Sequence, residues 1–315
     1  MKNEPFVIAI VGPTASGKSW LAQEIALRRS CDVLSADAMQ VYKHLDIGTA
    51  KVMPDEQRVV HFGIDLVEPK QSYSAAQYQE YARGVIDKAL ILKQGIVVAG
   101  GTGLYVRAAL DEMNFAPGEQ DNNEVREKYE RIYAEQGIDA LYDLLIQADP
   151  KAEDFVHKNN VKRVIRALEI VENGELYSQR ASHFKERAEH YPTLYIGLDI
   201  AREQLYERIN NRVDDMIAQG LVGEVEELLE NGLLDAKTAS QAIGYKELSE
   251  VILQGAPLAQ AVDAIKQQSR RYAKRQLSWF HSDPRINWIT CDDLSQTEIV
   301  SAALDIIARY ESEKL

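Results

Sequence analysis

The sequence predicts an α/β fold in which helices flank a parallel sheet and an all-helical insertion interrupts the sheet. Three observations support this prediction. Apolar runs of strand length recur at 6–11, 32–37, 95–99, 194–199 and 285–290. Segments with helical periodicity separate most of them, as parallel strands require crossover connections. From 122 to 191 strand-like runs disappear and charged helical patterns replace them.

The first apolar run leads directly into a glycine-rich loop of the form Gly-x-x-x-x-Gly-Lys-Ser, and a helical pattern follows at 20–29. Strand, loop and helix in this order are the context in which a P-loop binds polyphosphate through backbone N–H groups and the helix N-terminus. The alternative is an ordinary glycine-rich turn. The loop makes the predicted sheet P-loop NTPase-like, and its predicted diphosphate-binding residues are Gly12, Pro13, Thr14, Ala15, Ser16, Gly17, Lys18 and Ser19.

Around this loop we assign 1–118 and 192–315 to a P-loop-containing core and 119–191 to the helical insertion domain. Within the insertion, helices are predicted at 124–136, 138–147, 151–157 and 161–173. Gly137, Pro150 and Gly174 separate them. In the core, helices are predicted at 75–93 with Ser74 as N-cap, and at 203–219, 222–230, 259–280 and 295–313.

The composition restricts the class of protein. The net charge of −13 argues against a general nucleic-acid binder, although a local basic surface can act against the global charge. Two cysteines, Cys31 and Cys291, indicate a reducing compartment without disulfides. No apolar run approaches the ~20 residues that span a bilayer, and residues 1–5 lead straight into the first strand. We therefore expect a cytoplasmic protein without a signal peptide or a membrane partner.

Two further strand ends are predicted to lie near the phosphates, because ligands of such sheets bind at the carboxyl ends of the strands. Asp37 ends the second strand and is interpreted as a general base, a metal-supporting group or a turn aspartate. The 95–99 strand ends at Ala99 without the acid that hydrolytic P-loop proteins use to organise Mg²⁺ and water. After it, Thr102 in Gly-Gly-Thr-Gly either contacts pyrophosphate and metal or belongs to a tight turn.

Positive charge clusters on three predicted helices. Lys162, Arg163 and Arg166 form either a ligand surface or a solvated helix face. Arg208 and Arg212, one helical turn apart, suit a two-point clamp on pyrophosphate, or each pairs with a nearby acid. The third group, at 270–275, lies among aromatic residues, which favours contact with a nucleic acid over a salt-bridged helix.

These stretches together resemble one family, the bacterial tRNA dimethylallyltransferases. The resemblance rests on the P-loop, Asp37 with Gln40-Val-Tyr, and Asp46-Ile-Gly-Thr-Ala-Lys. Gly100-Gly-Thr-Gly-Leu-Tyr adds to it. The later segments are Arg-Val-Ile-Arg-Ala-Leu-Glu at 163–169, Gln-Ala-Ile-Gly-Tyr-Lys-Glu at 241–247 and Arg-Arg-Tyr-Ala-Lys-Arg-Gln at 270–276. It runs from about residue 6 to 290, and the order of the later motifs makes it specific.

The resemblance implies transfer of a dimethylallyl group from its diphosphate to N6 of the adenine 3′ of the tRNA anticodon, with release of pyrophosphate. Asp37 would take the proton from the amine, Thr102 would assist, and Ser19 and Thr102 would hold Mg²⁺. Arg208 or Arg212 would clamp the leaving group. The implied partners are the anticodon stem-loop and dimethylallyl diphosphate, and we expect a monomer. The implied tRNA-binding residues are Asp37, Ala38, Met39, Gln40, Thr102, Arg126, Val161, Lys162, Arg163, Val164, Ile165, Arg166, Gly244, Lys246, Arg270, Arg271, Lys274 and Arg275.

The chain departs from the family pattern at Ala38, where Ser is usual, and at Phe62, where a second His is usual in the short connection 61–65. It also carries Lys158-Asn159-Asn160 in place of Pro-Asn-Asp. Two other functions fit the P-loop and Asp37. One is a kinase or a prenyltransferase that acts on free adenosine nucleotides. The other is a nucleotide-gated RNA-binding module without catalysis.

Overall fold

The computed structural model describes residues 4–115, 124–184 and 186–314 of the 315-residue chain. The chain divides into two compact units, one of residues 1–110 with 189–315 and one of residues 111–188. The smaller unit therefore begins and ends a few residues before the predicted insertion, 119–191. The predicted boundary between 118 and 119 lies outside the described residues.

The larger unit is built on a six-stranded parallel sheet with the strand order β3-β2-β4-β1-β5-β6. The α/β prediction is confirmed, and each predicted strand is present. One strand, β3, is not predicted. It covers only two residues of the segment predicted as a connection, and a strand of two residues is too short to show alternating hydrophobicity. The strands are β1 (Val7–Val11), β2 (Asp32–Ser35), β3 (His61–Phe62), β4 (Ile96–Gly100), β5 (Thr193–Asp199) and β6 (Ile286–Thr290).

Eleven α-helices are present in the described residues, and α4 to α6 belong to the smaller unit. They are α1 (Lys18–Arg29), α2 (Ala75–Ile91), α3 (Gly103–Leu110), α4 (Glu124–Ala148), α5 (Val161–Glu172), α6 (Tyr177–His183), α7 (Arg202–Ala218), α8 (Leu221–Glu230), α9 (Tyr245–Gln254), α10 (Leu258–His281) and α11 (Gln296–Glu313). Short 3-10 helices cover Pro150–Asp154, Leu233–Asp235 and Ala239–Gln241.

Local signals explain which helices the sequence predicts. Ser74 and Ser295 each close a capping box with the residue three positions later, and α2 and α11 begin directly after them. By contrast α3 and α9 are missed, because both are short and both start beside a glycine that reads as a turn. In the smaller unit α6 is missed, and the predicted helix at 151–157 is a 3-10 helix over Pro150–Asp154.

The sheet places three loops side by side. Every residue of β1 and β4 is buried, as in a sheet covered by helices on both faces. Because β4 lies between β1 and β2, the loops that follow these three strands meet at one edge of the sheet. These loops carry the P-loop, Asp37 and Thr102, so the fold brings together the three predicted elements of the site.

The smaller unit is helical, as predicted, and has its own apolar core from α4, α5 and the 3-10 helix between them. Gly137 interrupts α4 with φ 81° and ψ −178°, so the two predicted helices meet at a break rather than at a loop. Asn160 caps α5 by accepting from the N–H of Arg163 at 3.2 Å. An aspartate at this position would make the same cap, and the departure at 160 therefore preserves the local structure.

Candidate functional site

The P-loop connects β1 to α1 and leaves polar groups available to a ligand. Gly12 has φ +152°, and a Cβ there would meet the backbone of Leu198. The first N–H groups of α1 have no acceptor within the helix. The Ser16 hydroxyl is buried, and no described group hydrogen-bonds to it. A loop with these properties is suited to an anion that supplies the missing acceptors.

Lys18 provides the positive charge of this loop. Its ammonium donates to the carbonyl of Pro13 at 2.8 Å. Burial, with a smaller contribution from the nearby Arg212 guanidinium, lowers its pKa to about 8, and the Asp37 carboxylate acts in the opposite direction. The loop therefore holds a cation that is expensive to keep charged without a bound anion.

Asp37 follows β2 and belongs to the same edge. One of its carboxylate oxygens accepts from the N–H of Met39 at 2.9 Å, so the residue also stabilises a turn. Its neighbour Ala38 donates its N–H to the hydroxyl of Thr102 at 3.0 Å, which joins the loop after β2 to the loop after β4. The functional and turn interpretations of Asp37 are thus compatible, because one oxygen makes the turn and the carboxylate also lines the cavity described below.

The Gly-Gly-Thr-Gly turn after β4 brings backbone segments into close approach. A Cβ at Gly100 would collide with the carbonyl of Ala36, and one at Gly101 would collide with the side-chain amide of Gln276. A Cβ at Gly103 would overlap the ring of Trp279. These glycines are therefore required by packing. The strand itself ends without an acidic residue, as the sequence shows.

Helix α10 contributes a further group of residues to the site. The Gln276 side chain is buried; it accepts from the N–H of Thr14 at 2.8 Å and donates to the carbonyl of Gly101 at 2.9 Å. One turn earlier, the Tyr272 hydroxyl interacts with the side chains of Thr102 and Gln276. Burial, with a smaller contribution from Asp37, raises the pKa of Tyr272 to about 12, so this phenol stays protonated at neutral pH.

Of the two predicted clamp arginines, only Arg212 belongs to the site. It lines the cavity, burial lowers its pKa, and the Asp37 carboxylate opposes this shift. Arg208 is exposed, is absent from the described lining, and instead lies close enough to Cys291 to affect the pKa of that thiol. The two-point clamp is therefore wrong as predicted. Positions i and i+4 share a helix face only approximately, and here the buried side of α7 runs through Leu205, Ile209 and Val213.

All these groups surround one cavity of about 370 Å³. Many residues that the sequence analysis assigns to the site line this cavity: Thr14, Lys18, Ser19, Asp37, Ala38, Met39, Gln40, Thr102, Arg212, Gly244 and Arg275. Behind the lining, the body of the P-loop is formed by Gly12, Pro13, Ala15, Ser16 and Gly17. Aliphatic surface comes from Ile209, Val213, Met216, Leu221, Ile243 and Ile265. The cavity thus combines cationic and hydroxyl groups with an apolar wall.

The loop at 46–51 is a fixed wall of this cavity. The ammonium of Lys51 is buried and bonds the carbonyl of Tyr42 and the carboxylates of Asp46 and Asp65, at 2.5–2.6 Å. Glu224 accepts from the N–H groups of residues 46, 47 and 48. Gln40 is also buried and donates toward the carbonyls of residues 49 and 50 at 3.3 and 3.4 Å. The Asp-Ile-Gly-Thr-Ala-Lys motif is therefore held by these hydrogen bonds and keeps this wall of the cavity in place.

The structure exposes three of the four cations of the basic group on α10. Arg271, Lys274 and Arg275 are exposed, and none of the described acidic groups forms a salt bridge with them. Arg270 differs, because its guanidinium is half-buried and donates to the side chain of Asn210 on α7 at 2.5 Å. Arg270 is therefore held within the fold, and the RNA contact predicted for it is not supported. Lys246 is exposed, and it is not among the described residues that line the cavity.

In the smaller unit the predicted RNA-binding residues separate into two groups. Val164 and Ile165 are buried in the core of the unit, so the prediction that they contact RNA is wrong, and Val161 packs against the same core. In an amphipathic helix the charged residues lie on one face and the apolar residues on the opposite face. Lys162 and Arg163 remain exposed.

The remaining two arginines of this group are held by one buried acid. Arg166 pairs with Glu169 at 3.0 Å, and Arg126 lies 3.5 Å from the other oxygen of the same carboxylate. Among the predicted RNA-binding residues of this unit, Lys162 and Arg163 are therefore the cations that remain exposed.

The described residues contain no cluster of three or more His, Cys, Asp or Glu side chains that could hold a metal ion. A Mg²⁺ ion commonly binds through one or two protein oxygens and completes its octahedron with substrate phosphates and water. The hydroxyls of Ser19 and Thr102 line the cavity and fit this requirement. These residues therefore suit a Mg²⁺ ion that arrives with a diphosphate.

Tyr272 and Gln276 both belong to the motif at 270–276, in which Tyr272 is predicted only as an aromatic neighbour of the basic residues and Gln276 has no predicted role. Their spacing of four residues on the side of α10 away from Lys274 is a usable signal. Glu224 has no such local signal, since its partners lie some 176 residues earlier in the chain. Both cysteines are free and buried, as expected, and burial raises the pKa of each thiol to about 11. None of the described helices combines the length and the apolar character that crossing a membrane requires.

Comparisons with known proteins agree with this geometry. A family model described as IPP transferase matches residues 40–283. The chain is 43% identical to a tRNA dimethylallyltransferase of Carboxydothermus hydrogenoformans, over 90% of this chain and 91% of the relative. It is 40% identical to the tRNA dimethylallyltransferase of Geobacillus thermodenitrificans, over 98% and 97% of the two chains.

Solved structures give the same result. A full-length tRNA isopentenylpyrophosphate transferase from Bacillus halodurans superimposes with a TM-score of 0.73 and 38% identity, over 99% of this chain and 98% of the other. A eukaryotic dimethylallyltransferase that acts on tRNA gives a TM-score of 0.80 at 26% identity, over 97% of this chain and 80% of the other.

Proposed function

The chain belongs to the IPP transferase family, and on this premise we propose that it transfers a dimethylallyl group from dimethylallyl diphosphate to tRNA. The acceptor is the N6 amine of the adenine on the 3′ side of the anticodon, and pyrophosphate is released. The observation that carries the proposal is that the P-loop and Asp37 face one cavity while β4 ends without an acid. A site that holds a diphosphate and a base, without the acid that organises water for hydrolysis, suits transfer of the carbon group.

The donor binds with its diphosphate in the P-loop. Lys18 and Arg212 supply positive charge, and backbone N–H groups at the start of α1 supply donors. Because negative charge accumulates on pyrophosphate as the bond from carbon to oxygen breaks, these groups stabilise the transition state more than the ground state. The aliphatic wall of the cavity provides surface for the hydrocarbon.

At the acceptor end the adenine amine displaces the diphosphate. The nitrogen lone pair forms the bond to the first carbon of the prenyl group, and the electrons of the carbon–oxygen bond leave with pyrophosphate. The amine loses a proton, which Asp37 accepts, and the Met39 N–H orients this carboxylate. For this step the base leaves its stack and enters the cavity.

Ser19 and Thr102 hold the Mg²⁺ in this proposal. Bound there, Mg²⁺ would supply positive charge against the phosphate oxygens. Thr102 keeps its orientation through the N–H of Ala38, so the same hydroxyl connects the metal side of the site to the base.

Each unit offers a basic surface to the anticodon stem-loop of tRNA. On the larger unit this surface is Arg271, Lys274 and Arg275 of α10, and on the smaller unit it is Lys162 and Arg163 of α5. Exposed Lys and Arg side chains bind phosphates and release counterions, which gives affinity despite a net charge of −13.

A cytoplasmic location and a monomeric state complete the proposal. Two free, buried cysteines fit a reducing compartment. Analytical ultracentrifugation tests the monomer, for which the expected mass is 35.5 kDa. A sedimenting species of twice this mass contradicts it.

The deciding experiment incubates the protein with Mg²⁺, labelled dimethylallyl diphosphate and an unmodified anticodon stem-loop. We expect label in the RNA and equimolar pyrophosphate. The control RNA carries guanine at the acceptor position, which has an oxygen where adenine has the N6 amine, and should stay unlabelled. Absence of label in the adenine-containing RNA contradicts the proposal.

The same assay separates the other two functions. Label in free AMP or ADP, or transfer of phosphate from labelled ATP, indicates the nucleotide-level enzyme. RNA that binds and remains unlabelled indicates the non-catalytic module. The names of the relatives favour tRNA as the acceptor over free nucleotides.

A further inference from the structure

One buried side chain of α10 is hydrogen-bonded both to the P-loop and to the Gly-Gly-Thr-Gly turn. Gln276 is 5% exposed and lies on α10, and the proposed reaction gives it no chemical role. Its amide oxygen accepts from the N–H of Thr14 in the P-loop at 2.8 Å, and its amide nitrogen donates to the carbonyl of Gly101 at 2.9 Å. Both polar atoms of one amide are thus bonded to the two loops that surround the diphosphate position.

The neighbouring residues are shaped around this amide. Gly101 has no room for a Cβ, because the Gln276 nitrogen occupies that space. Tyr272, one turn earlier on α10, interacts with both Gln276 and Thr102. Thr102 in turn accepts from the N–H of Ala38, next to Asp37. The hydrogen bonds of Gln276 therefore join the P-loop to the Gly-Gly-Thr-Gly turn, and the Thr102 hydroxyl joins that turn to the residue beside Asp37.

We infer that Gln276 is a positioning residue that fixes the P-loop and the Gly-Gly-Thr-Gly turn in the geometry that binds diphosphate. The inference rests on the proposed use of the P-loop as a diphosphate site. Glutamine is suited to this role because one side chain can accept from an N–H and donate to a carbonyl at the same time. A carboxylate cannot donate, and an aliphatic residue can do neither.

The direct test uses Mg²⁺ and inorganic pyrophosphate, with binding followed by calorimetry, so that no catalysis is needed. Gln276→Met keeps the approximate volume and removes both hydrogen bonds. We expect its affinity for pyrophosphate to fall about tenfold or more, because the Thr14 N–H and the Gly101 carbonyl lose the partner that holds both loops in place.

Gln23→Met is the matched control. Gln23 is 8% exposed, and its amide oxygen accepts from the N–H of Arg58 at 2.8 Å, but it does not line the cavity. This variant loses a comparable buried amide and should bind pyrophosphate within about twofold of the wild-type protein. Circular dichroism establishes that both variants are folded before affinities are compared.

A kinetic measurement distinguishes positioning from general destabilisation. For Gln276→Met we expect KM for dimethylallyl diphosphate to rise about tenfold while KM for tRNA changes less than about twofold. Wild-type affinity for pyrophosphate in Gln276→Met overturns the inference. An equal loss of pyrophosphate affinity in Gln23→Met overturns it as well.

The outcomes separate this inference from the proposed function. A wild-type protein that binds pyrophosphate but transfers no prenyl group contradicts the proposed reaction and leaves the result for Gln276 valid. A wild-type protein that does not bind Mg²⁺ and pyrophosphate contradicts both.

Discussion

Single residues at the site are set by burial and by their charged neighbours. Lys18 loses hydration in the loop, and Arg212 adds repulsion, so the free protein holds Lys18 with a pKa of about 8. In the proposed function, a bound diphosphate would reverse this balance by pairing with both cations. Asp37 has the opposite position: it faces the two cations and is oriented by the Met39 N–H. Two predictions follow at this scale.

The first concerns the base. Asp37→Asn keeps an oxygen that can accept from the Met39 N–H, and therefore keeps the turn, but it removes the basic group. We expect kcat to fall about 10²- to 10⁴-fold, the usual range for loss of a general base, with tRNA affinity changed less than about twofold. Single-turnover transfer and filter binding provide the measurements.

Asp305→Asn, at an exposed position of α11, is the control and should retain full activity. Turnover by Asp37→Asn at the wild-type rate would remove Asp37 from the mechanism.

The second concerns pH. In the proposed function protonated Lys18 binds the diphosphate, so kcat/KM for the donor should decrease above about pH 8, approaching tenfold per pH unit. The folded chain releases this proton near pH 8 and the unfolded chain near ~10.4. The unfolded state therefore binds more protons between these values, and the free energy of unfolding gains from this group as pH rises through that window.

Lys18→Arg provides the comparison for the pH profile, because an arginine stays charged throughout the range. The alkaline decrease should disappear in this variant even if its maximal rate is lower. A decrease at the same pH in both proteins would assign the titration to another group.

At the scale of elements, α10 carries out two tasks on two faces. Tyr272 and Gln276 face the loops of the site, whereas Arg271 and Lys274 face solvent. The helix is anchored to α7 by Arg270 with Asn210 and by Lys266 with Asp214, so its anchors are residues other than the exposed Arg271 and Lys274. This arrangement explains why the basic group survives in an acidic protein.

Replacement of Arg271 by alanine tests this surface. We expect tRNA affinity to fall about three- to tenfold and the slope of log K against log salt to decrease by about one, as for loss of one phosphate contact. Affinity for pyrophosphate should not change.

Arg309→Ala, an exposed arginine on α11, is the matched control and should leave the salt slope unaltered. An unchanged tRNA affinity in Arg271→Ala would show that the exposed face of α10 is not a tRNA-binding surface.

At the scale of the whole molecule, the two units divide the work. The larger unit contains the cavity and every residue that the proposal gives a chemical role. The smaller unit has a separate apolar core and offers Lys162 and Arg163. Loss of cations from the smaller unit should therefore affect RNA binding without affecting the donor site.

Lys162→Ala should weaken tRNA binding about three- to tenfold, with pyrophosphate affinity and KM for dimethylallyl diphosphate within about twofold of wild type. Parallel titrations with tRNA and pyrophosphate check both halves of this expectation. Lys151→Ala, an exposed lysine in the same unit, should bind tRNA normally. A change in pyrophosphate affinity would contradict the division of roles between the units.

The α/β class, the P-loop and the order of the larger elements can all be predicted from the amino-acid sequence. These depend on local information, namely strand-length apolar runs, capping boxes such as that of Ser74, and a loop whose chemistry is contiguous in the chain. The sequence also placed Asp37 and Thr102 near the phosphates, because parallel strands share one carboxyl edge.

The side of each helix that meets the site becomes evident in the folded structure. The fold separated Arg212 from Arg208, buried Val164 and Ile165, and bonded Gln276 to loops more than 170 residues away. Helical periodicity defines a face only to within a fraction of a turn, and it does not identify the surface that covers that face. Hydrogen bonds between distant segments, such as that of Gln276 with Thr14, depend on the packed arrangement of α10 against the sheet edge, which no local pattern contains.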